Sequence, residues 1–430
     1  MRKTALAVAT VLCFTIALRI HAAAQAEDLL FDALGHPAIS YAASETHDPA
    51  AELNRRLDAG AARLTYDRNR AGYLRSLLDA LRVPLESQMA VFSKTSLQSP
   101  LISPANPRAI YFTDDVAVAW PRGGFIEIAA HDAQQGVHFY LLPQQETESP
   151  RLLPEVSFRP GVCLNCHHAY ATLGVPGMLA RSVAAGPDGR VLPHLANFIT
   201  DDRSPLEERW AGWFVTGSTG TARHLGNLDA LTGAAGEATV ASHATSMASL
   251  AERGILDDYL TPYSDVAALL VFNHQTRMVN LLTRTAWEVR IAEADRGDVQ
   301  KIAREAAVQL VDALLFVDEA PLQGPVASSS GFAAAFAARG PTDTNGRSLR
   351  QLDLTTRLMR YPCSYMIYSP AFDRLPAAAK NAVYRRLWDV LSAREADRRY
   401  GRLSATDRLA IIEILRATKS DVPSDFSRPL

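Results

Sequence analysis

Between Ala109 and Leu142 the chain reads AIYFTDDVAVAWPRGGFIEIAAHDAQQGVHFYLL. Four short runs rich in β-branched and aromatic residues stand out: Ile110 to Phe112, Val116 to Trp120, Phe125 to Ile128 and Val137 to Leu142. Asp114-Asp115, Gly123-Gly124 and Gln134-Gln135-Gly136 separate them, and these are residues that favour tight turns. The pattern predicts a small antiparallel sheet of about three or four strands. On both sides the apolar period changes to that of a helix. Upstream, Leu53, Leu57 and Leu64, then Tyr73, Leu74, Leu77, Leu78 and Leu81, predict two packed helices between Pro49 and Val83. Downstream of His243, helices are expected over Ser264 to Ala294, Asp298 to Phe316, Ala377 to Arg394 and Ala405 to Ala417. Val326 to Gly346, rich in Ser, Ala and Gly, reads as a long loop or hinge. The expected class is α+β and mainly α-helical, with the sheet in the N-terminal half and a helical C-terminal half.

Composition narrows the function. The chain has 430 residues, 48% of them hydrophobic and 21% charged, which excludes a disordered or fibrous protein. Its 44 Lys and Arg nearly cancel its 46 Asp and Glu, so no positive field exists to hold a nucleic acid. Four cysteines are too few for a disulfide scaffold. The start reads as an export signal: Arg2 and Lys3, then an apolar stretch from Ala5 to Leu18, then small residues at Ala22-Ala23-Ala24 or Ala24-Gln25-Ala26. That stretch is shorter than the roughly 20 residues that span a bilayer. Cys13 follows Leu12 rather than a small residue, which argues against lipidation. No later run is long enough to span, so the product is expected to be soluble, periplasmic or secreted, with no membrane span after cleavage. Removal of residues 1–26 leaves Cys163, Cys166 and Cys363, an odd number that calls for an explanation. The expected segments are 1–26 for the signal, 27–150 for the helix pair and sheet, 151–240 for an irregular region and 241–430 for the helical region.

The irregular region holds the chemistry. Phe158-Arg-Pro-Gly-Val-Cys163-Leu-Asn-Cys166-His167 contains the Cys-x-x-Cys-His pattern of covalent c-type haem attachment. Two thiols three positions apart reach the two vinyl groups on one edge of the porphyrin, and the next imidazole falls beneath the iron. Chance would produce this pattern in roughly one chain in a thousand of this composition. Cys163 and Cys166 are therefore read as the thioether residues and His167 as the iron ligand, with one haem c per chain. Two other chemistries use part of the motif. A dithiol of the thioredoxin type opens a helix after a buried strand, and Ser157 to Val162 makes a poor strand. A structural zinc needs four ligands, and Cys163, Cys166 and one of His167 or His168 supply three.

Spacing leaves the sixth iron position open. Met178 follows His167 closely. His274 shares a helical stripe with Leu270, Met278 and Leu281 and is the candidate distal ligand, set against a core histidine bonded to a backbone carbonyl. His194, His224, His243, Met247, Met278 and an open iron are the other readings. Arg209-Trp210-Ala-Gly-Trp213-Phe214 offers aromatic walls, and Arg181, Arg203, Arg209 and Arg223 are candidate partners for the haem propionates, with ordinary core packing as the alternative. Thr216 to Thr221 lacks the Gly-Lys-Ser/Thr ending of a phosphate loop and reads as a turn. Cys363, among apolar neighbours, reads as a buried inert thiol.

The chain resembles the large, poorly characterised group of bacterial exported proteins built around a single c-type haem site. The residues that carry the resemblance are Ser87-Gln88, Val91 to Gln98, Pro107 to Phe112, Cys163 to His167, Val175-Pro-Gly177, Arg181-Ser-Val183, Ser204-Pro-Leu206, Arg209 to Gly217, His224 to Asn227 and Tyr361 to Tyr365. The chain departs from the pattern at Ala211 and Thr219, where Gly and His are usual. The resemblance implies a cytochrome c-like attachment segment, covalent haem ligated by His167 and electron-transfer chemistry. The expected partner is a redox protein or a small-molecule electron donor or acceptor. A carrier needs only on the order of 100 residues, so two alternatives stand beside it. One is a haem enzyme such as a peroxidase, with His224 or Glu208 as acid or base. The other is a haem-based sensor or partner-binding protein whose β-rich region, Ala109 to Leu142, does the recognising.

Overall fold

The fold comes from a computed structural model. The structure describes residues 30, 32–158, 161–228, 231–232, 238–239, 247–255 and 259–427. The expected signal segment, His243 and the Arg159-Pro160 part of the motif lie outside the described residues.

Two helices open the fold, α1 (Pro49–Asp58) and α2 (Leu74–Ala80), within the predicted stretch. Asp48 caps α1 by accepting from the Ala50 and Ala51 N–H groups. The strands β1 (Met89–Val91), β2 (Arg108–Phe112), β3 (Val116–Pro121), β4 (Ile126–Asp132), β5 (Gly136–Leu142), β6 (Leu153–Pro154) and β9 (Trp213–Phe214) build one seven-stranded antiparallel sheet. Its order is β6-β5-β4-β3-β2-β1-β9. The four predicted runs form its centre. The expected three or four strands become seven because β1, β6 and β9 are two or three residues long, too short to show a period of two. Between β6 and β9 come α3 (Glu155–Phe158), α4 (Leu164–His167) and a hairpin of β7 (Ala180–Val183) with β8 (Asn197–Thr200). A short pair, β10 (Leu231–Thr232) and β11 (Ala238–Thr239), follows.

The remaining helices are α5 (Val266–Ala294), α6 (Val299–Leu314), α7 (Phe332–Ala338), α8 (Pro370–Asp373), α9 (Ala377–Leu391) and α10 (Ala405–Thr418). The four long C-terminal helices match their predicted spans to within a few residues. The expected loop over Val326 to Gly346 instead contains α7, whose Phe332 and Phe336 are one turn apart and buried. Among the described residues no helix is long and apolar enough to cross a membrane.

Residues directly opposite in antiparallel strands share a face, so the register defines the two sides of the sheet. Val118, Ile128 and Tyr140 face α1 and α2 in one core. Phe112 turns the other way and packs on Phe272 of α5 and Phe332 of α7, with ring centroids 5.1 Å and 5.7 Å apart. That second core runs from Met89 to Phe426 and crosses the expected boundaries at 150 and 240, so the expected segments do not pack separately. Helix α5 is apolar around most of its circumference because it lies between the sheet and the other helices. Asp265 starts it: one carboxylate oxygen accepts from the Ala267 and Ala268 N–H groups, the other from the Ser329 and Ser330 N–H groups.

Candidate haem-attachment site

Cys163, Cys166 and His167 lie on one turn. The N–H groups of Cys166 and His167 both donate to the Cys163 carbonyl, at 3.1 Å and 2.9 Å. At the head of that turn the Cys163 N–H donates to Oε1 of Glu155 at 2.5 Å, so α3 supplies the cap for α4. Both cysteines carry free thiols; Cys163 is half-buried and Cys166 exposed. Burial, followed by the Glu155 and Glu127 carboxylates, pushes the Cys163 thiol up to about 12. An attacking dithiol needs the opposite shift, toward the thiolate.

The Nδ1 of His167 lies 2.9 Å from the carbonyl oxygen of Gly177. A carbonyl only accepts, so Nδ1 carries the proton and the Nε2 lone pair is left for another partner. Burial holds this imidazole below its usual range, in its neutral form. The Gly177 segment is itself fixed on both sides. The Val137 N–H of β5 donates to the Pro176 carbonyl at 3.0 Å. The Asn280 side chain of α5 accepts from the Met178 N–H at 2.9 Å and donates to its carbonyl at 2.8 Å. A Cβ at Gly177 would come within 2.1 Å of Asn280 Oδ1, which is why the position is glycine.

The His167 ring packs at 4.7 Å from the ring of Phe139, on the α5 side of the sheet. Arg108 and Glu127, paired at 2.7 Å, act on it with opposite charges. Among the described residues no group of three or more His, Cys, Asp or Glu side chains is placed to hold a bare metal ion.

The other predicted residues are dispersed. His274 is fully buried, with Nε2 at 2.7 Å from Ser364 Oγ, Nδ1 at 3.6 Å from Asp202 Oδ1 and its face stacked on Phe316 at 4.1 Å. Both ring nitrogens face other side chains, so in this arrangement His274 packs within the helical core. The Ser364–His274–Asp202 order is that of a hydrolytic triad, but Ser364 is sealed from solvent and accepts from the Met366 N–H. His224 accepts from the Gly226 N–H and packs edge-on against Trp210 at 5.3 Å. His194 is exposed, Met278 is buried in the α5 core and Met247 in the core beneath α1 and α2.

The arginine-tryptophan segment packs as core. Arg209 donates to the carbonyls of Ser204 and Asp202, and Trp210 to Asn273. Arg203 pairs with Asp201, Arg181 donates to Asn197, and Arg223 is exposed. Cys363 is fully buried, as expected, and burial pushes its thiol up to about 12. A cavity of about 580 Å³ opens beyond the Cys163–His167 turn, lined by Tyr170, Leu173, Met178, Arg203, Arg277 and Asn280 among others. Neither His224 nor Glu208 lines it.

Sequence reading passed over Glu155, Phe139 and Glu127, which act on the motif only through tertiary contact, while Arg108 carried a signal only as part of Pro107 to Phe112. Gly177 carried a signal, in Val175-Pro-Gly177 just after the motif. The chain matches no family model, no curated protein and no solved structure.

Proposed function

We propose that this chain is an exported monohaem c-type cytochrome that holds its haem by thioethers to Cys163 and Cys166, ligates the iron through His167 Nε2 and transfers electrons. The observation that carries the reading is the bond from His167 Nδ1–H to the Gly177 carbonyl, inside a Cys-x-x-Cys-His turn. A metal-ligating histidine characteristically donates its second ring nitrogen to a carbonyl or carboxylate, which fixes the tautomer and raises the basicity of the ligating nitrogen.

The residues present fit the group. Two free thiols sit on one turn with the imidazole, a buried aromatic ring backs that imidazole, and Cys166 stands at the surface. Bound there, haem would supply a one-electron iron couple. The chain's part is to hold the ring rigidly: Glu155 fixes the head of the turn, and Asn280 and Val137 fix the strap that carries Gly177. Rigid ligation keeps reorganisation small on electron transfer, and an attachment edge near solvent lets an electron pass to a partner. The export reading rests on residues 1–26 of the sequence.

The cavity beside Tyr170 and Met178 favours a second reading, a haem enzyme acting on a small molecule. Expression in a host competent in cytochrome maturation tests both. The first expectation is a red protein whose haem survives acid-acetone extraction and whose reduced form does not take up carbon monoxide quickly. Rapid uptake would move the function to the enzyme. A colourless product with the mass of the bare polypeptide would end the haem reading altogether.

A further inference from the structure

Two cross-strand rows on the α5 side of the sheet share an unusual composition. One row is Phe112, Ala117, Ala129 and Phe139; the next is Ile110, Ala119, Glu127 and Leu141. Strands β3 and β4 are central in the sheet, where both faces are normally covered by large side chains. On the opposite face that expectation holds, with Val116, Val118, Ile128 and Ala130 all buried. On this face Ala117 and Ala129 are only half-buried, because α5 covers the Phe112 end and the sheet continues beyond it. Ala117 and Ala129 thus leave a strip in the middle of this face that no large side chain of their own strands fills.

The Cys163–His167 turn stands at the edge of this strip, with the His167 ring against Phe139. Two positions along β5 from Phe139, Leu141 joins Leu97, Leu101 and Phe125 around a cavity of about 590 Å³, within the roughly 300–1,000 Å³ range of small-molecule sites. Leu97 and Leu101 are among the few exposed large apolar residues, as expected of walls that something flat and apolar should cover.

One charged pair adjoins the strip. Glu127 is held by three donors: Ser96 Oγ at 2.8 Å and Gln98 Nε2 at 3.2 Å on one oxygen, and Arg108 Nη1 at 2.7 Å on the other. Arg108 Nε is buried and has no partner. A buried N–H donor left unpaired costs free energy unless something accepts from it. The group that the proposed function brings to this surface carries two carboxylates.

We propose that Ala117, Ala129 and Leu141 form the seat of the porphyrin and that Arg108, oriented by Glu127, binds one of its propionates. The proposal rests on the haem reading and adds to it where the ring lies and which cation meets it. Glu127 acts as a positioning residue, since its carboxylate fixes the guanidinium without reaching the ring.

The test uses the matured full chain and the Arg108→Gln variant, with Arg304→Gln, an exposed arginine of α6, as control. The expected outcome is that all three carry covalent haem in similar yield but differ in midpoint potential. Loss of a cation near the iron favours the oxidised form. At an effective dielectric near 20 and a separation of about 10 Å the change is about tenfold in the oxidised-to-reduced ratio, or about 59 mV for one electron. Arg304→Gln should leave the potential in place. Ala129→Leu, which fills the strip, should shift the Soret band while the thioethers remain, and circular dichroism checks that it folds. If wild type carries haem and neither Arg108→Gln nor folded Ala129→Leu moves the potential or the Soret band, the seat is elsewhere and the proposal is overturned with the haem reading intact. If wild type carries no haem, the haem reading itself fails.

Discussion

His167 and Gly177 bond to each other twice: the imidazole Nδ1–H donates to the glycine carbonyl at 2.9 Å, and the glycine N–H donates back to the histidine carbonyl at 2.9 Å. The His167 imidazole and the strap that orients it are thereby one unit, clamped between β5 and α5. The tautomer of the imidazole depends on backbone ten residues away rather than on a mobile side chain or water.

Gly177→Ala tests the clamp. The added methyl meets Asn280 Oδ1 at 2.1 Å and Thr172 Cβ at 3.1 Å, and Asn280 is tied at both ends to Met178, so it has little room to move. Overpacking of this kind costs roughly 1–3 kcal/mol. Thermal unfolding should show a lower Tm, and the matured variant should show an altered absorption spectrum. An unchanged Tm would mean that the strap relaxes freely.

Asp265→Ala should be among the most destabilising single changes. The carboxylate is fully buried and caps α5 while also holding the N–H groups of Ser329 and Ser330 and the hydroxyl of Ser328. Its removal strands several donors at once, and a loss of about 3 kcal/mol or more in urea unfolding is expected. A loss under about 1 kcal/mol would show that water replaces the carboxylate.

Acid should weaken the fold through its buried histidines. Burial pushes His131, His138 and His224 down to about 4. On β4, His131 donates from Nε2 to Thr283 Oγ1 at 3.0 Å, because that hydroxyl gives its own proton to the Val279 carbonyl. Each folded pKa lies below the unfolded value of about 6.5, so the unfolded chain binds more protons in between. The stabilisation is complete above pH 6.5 and is lost as pH falls toward 4. His224→Gln, which can still accept from the Gly226 N–H, should flatten that decline by roughly 2–3 kcal/mol. Parallel wild-type and variant curves between pH 6.5 and 4 would refute the assignment.

Glu319 should act in the opposite direction. Burial, with Asp202 adding to it, raises its carboxyl to about 7, while one oxygen accepts from the Leu358 N–H at 2.7 Å. Its folded pKa lies above the unfolded value, so the contribution is present below about pH 4.5 and is lost as pH rises through 7. Glu319→Gln keeps the acceptor and removes the titration. Relative to wild type it should gain roughly 2–3 kcal/mol in denaturant unfolding between pH 5 and pH 8. A constant difference across that interval would place the proton elsewhere.

Much of the architecture was legible locally. The four strand runs from Ile110 to Leu142 and the long helices are set by apolar period and turn residues, which act over a few positions. Phe332 and Phe336 show the limit: a single turn-spaced pair inside a Ser, Ala and Gly stretch became a helix only because Phe112 and Tyr365 cover it. His274 shows another. Its helical stripe pointed it inward correctly, but which partner waits there depends on Ser364, 90 residues away.

By itself the sequence determined that Cys163, Cys166 and His167 come together, because two thiols and an imidazole within five residues share one turn whatever surrounds them. It also determined the central strands and the C-terminal helices. Only the tertiary structure decided which nitrogen of His167 is free, since that depends on the Gly177 carbonyl being held by Asn280 and Val137. Likewise only strand register set Ala117 beside Ala129 and Arg108 near Glu127. Register is fixed by the burial of whole faces, a property no single strand carries in its own sequence.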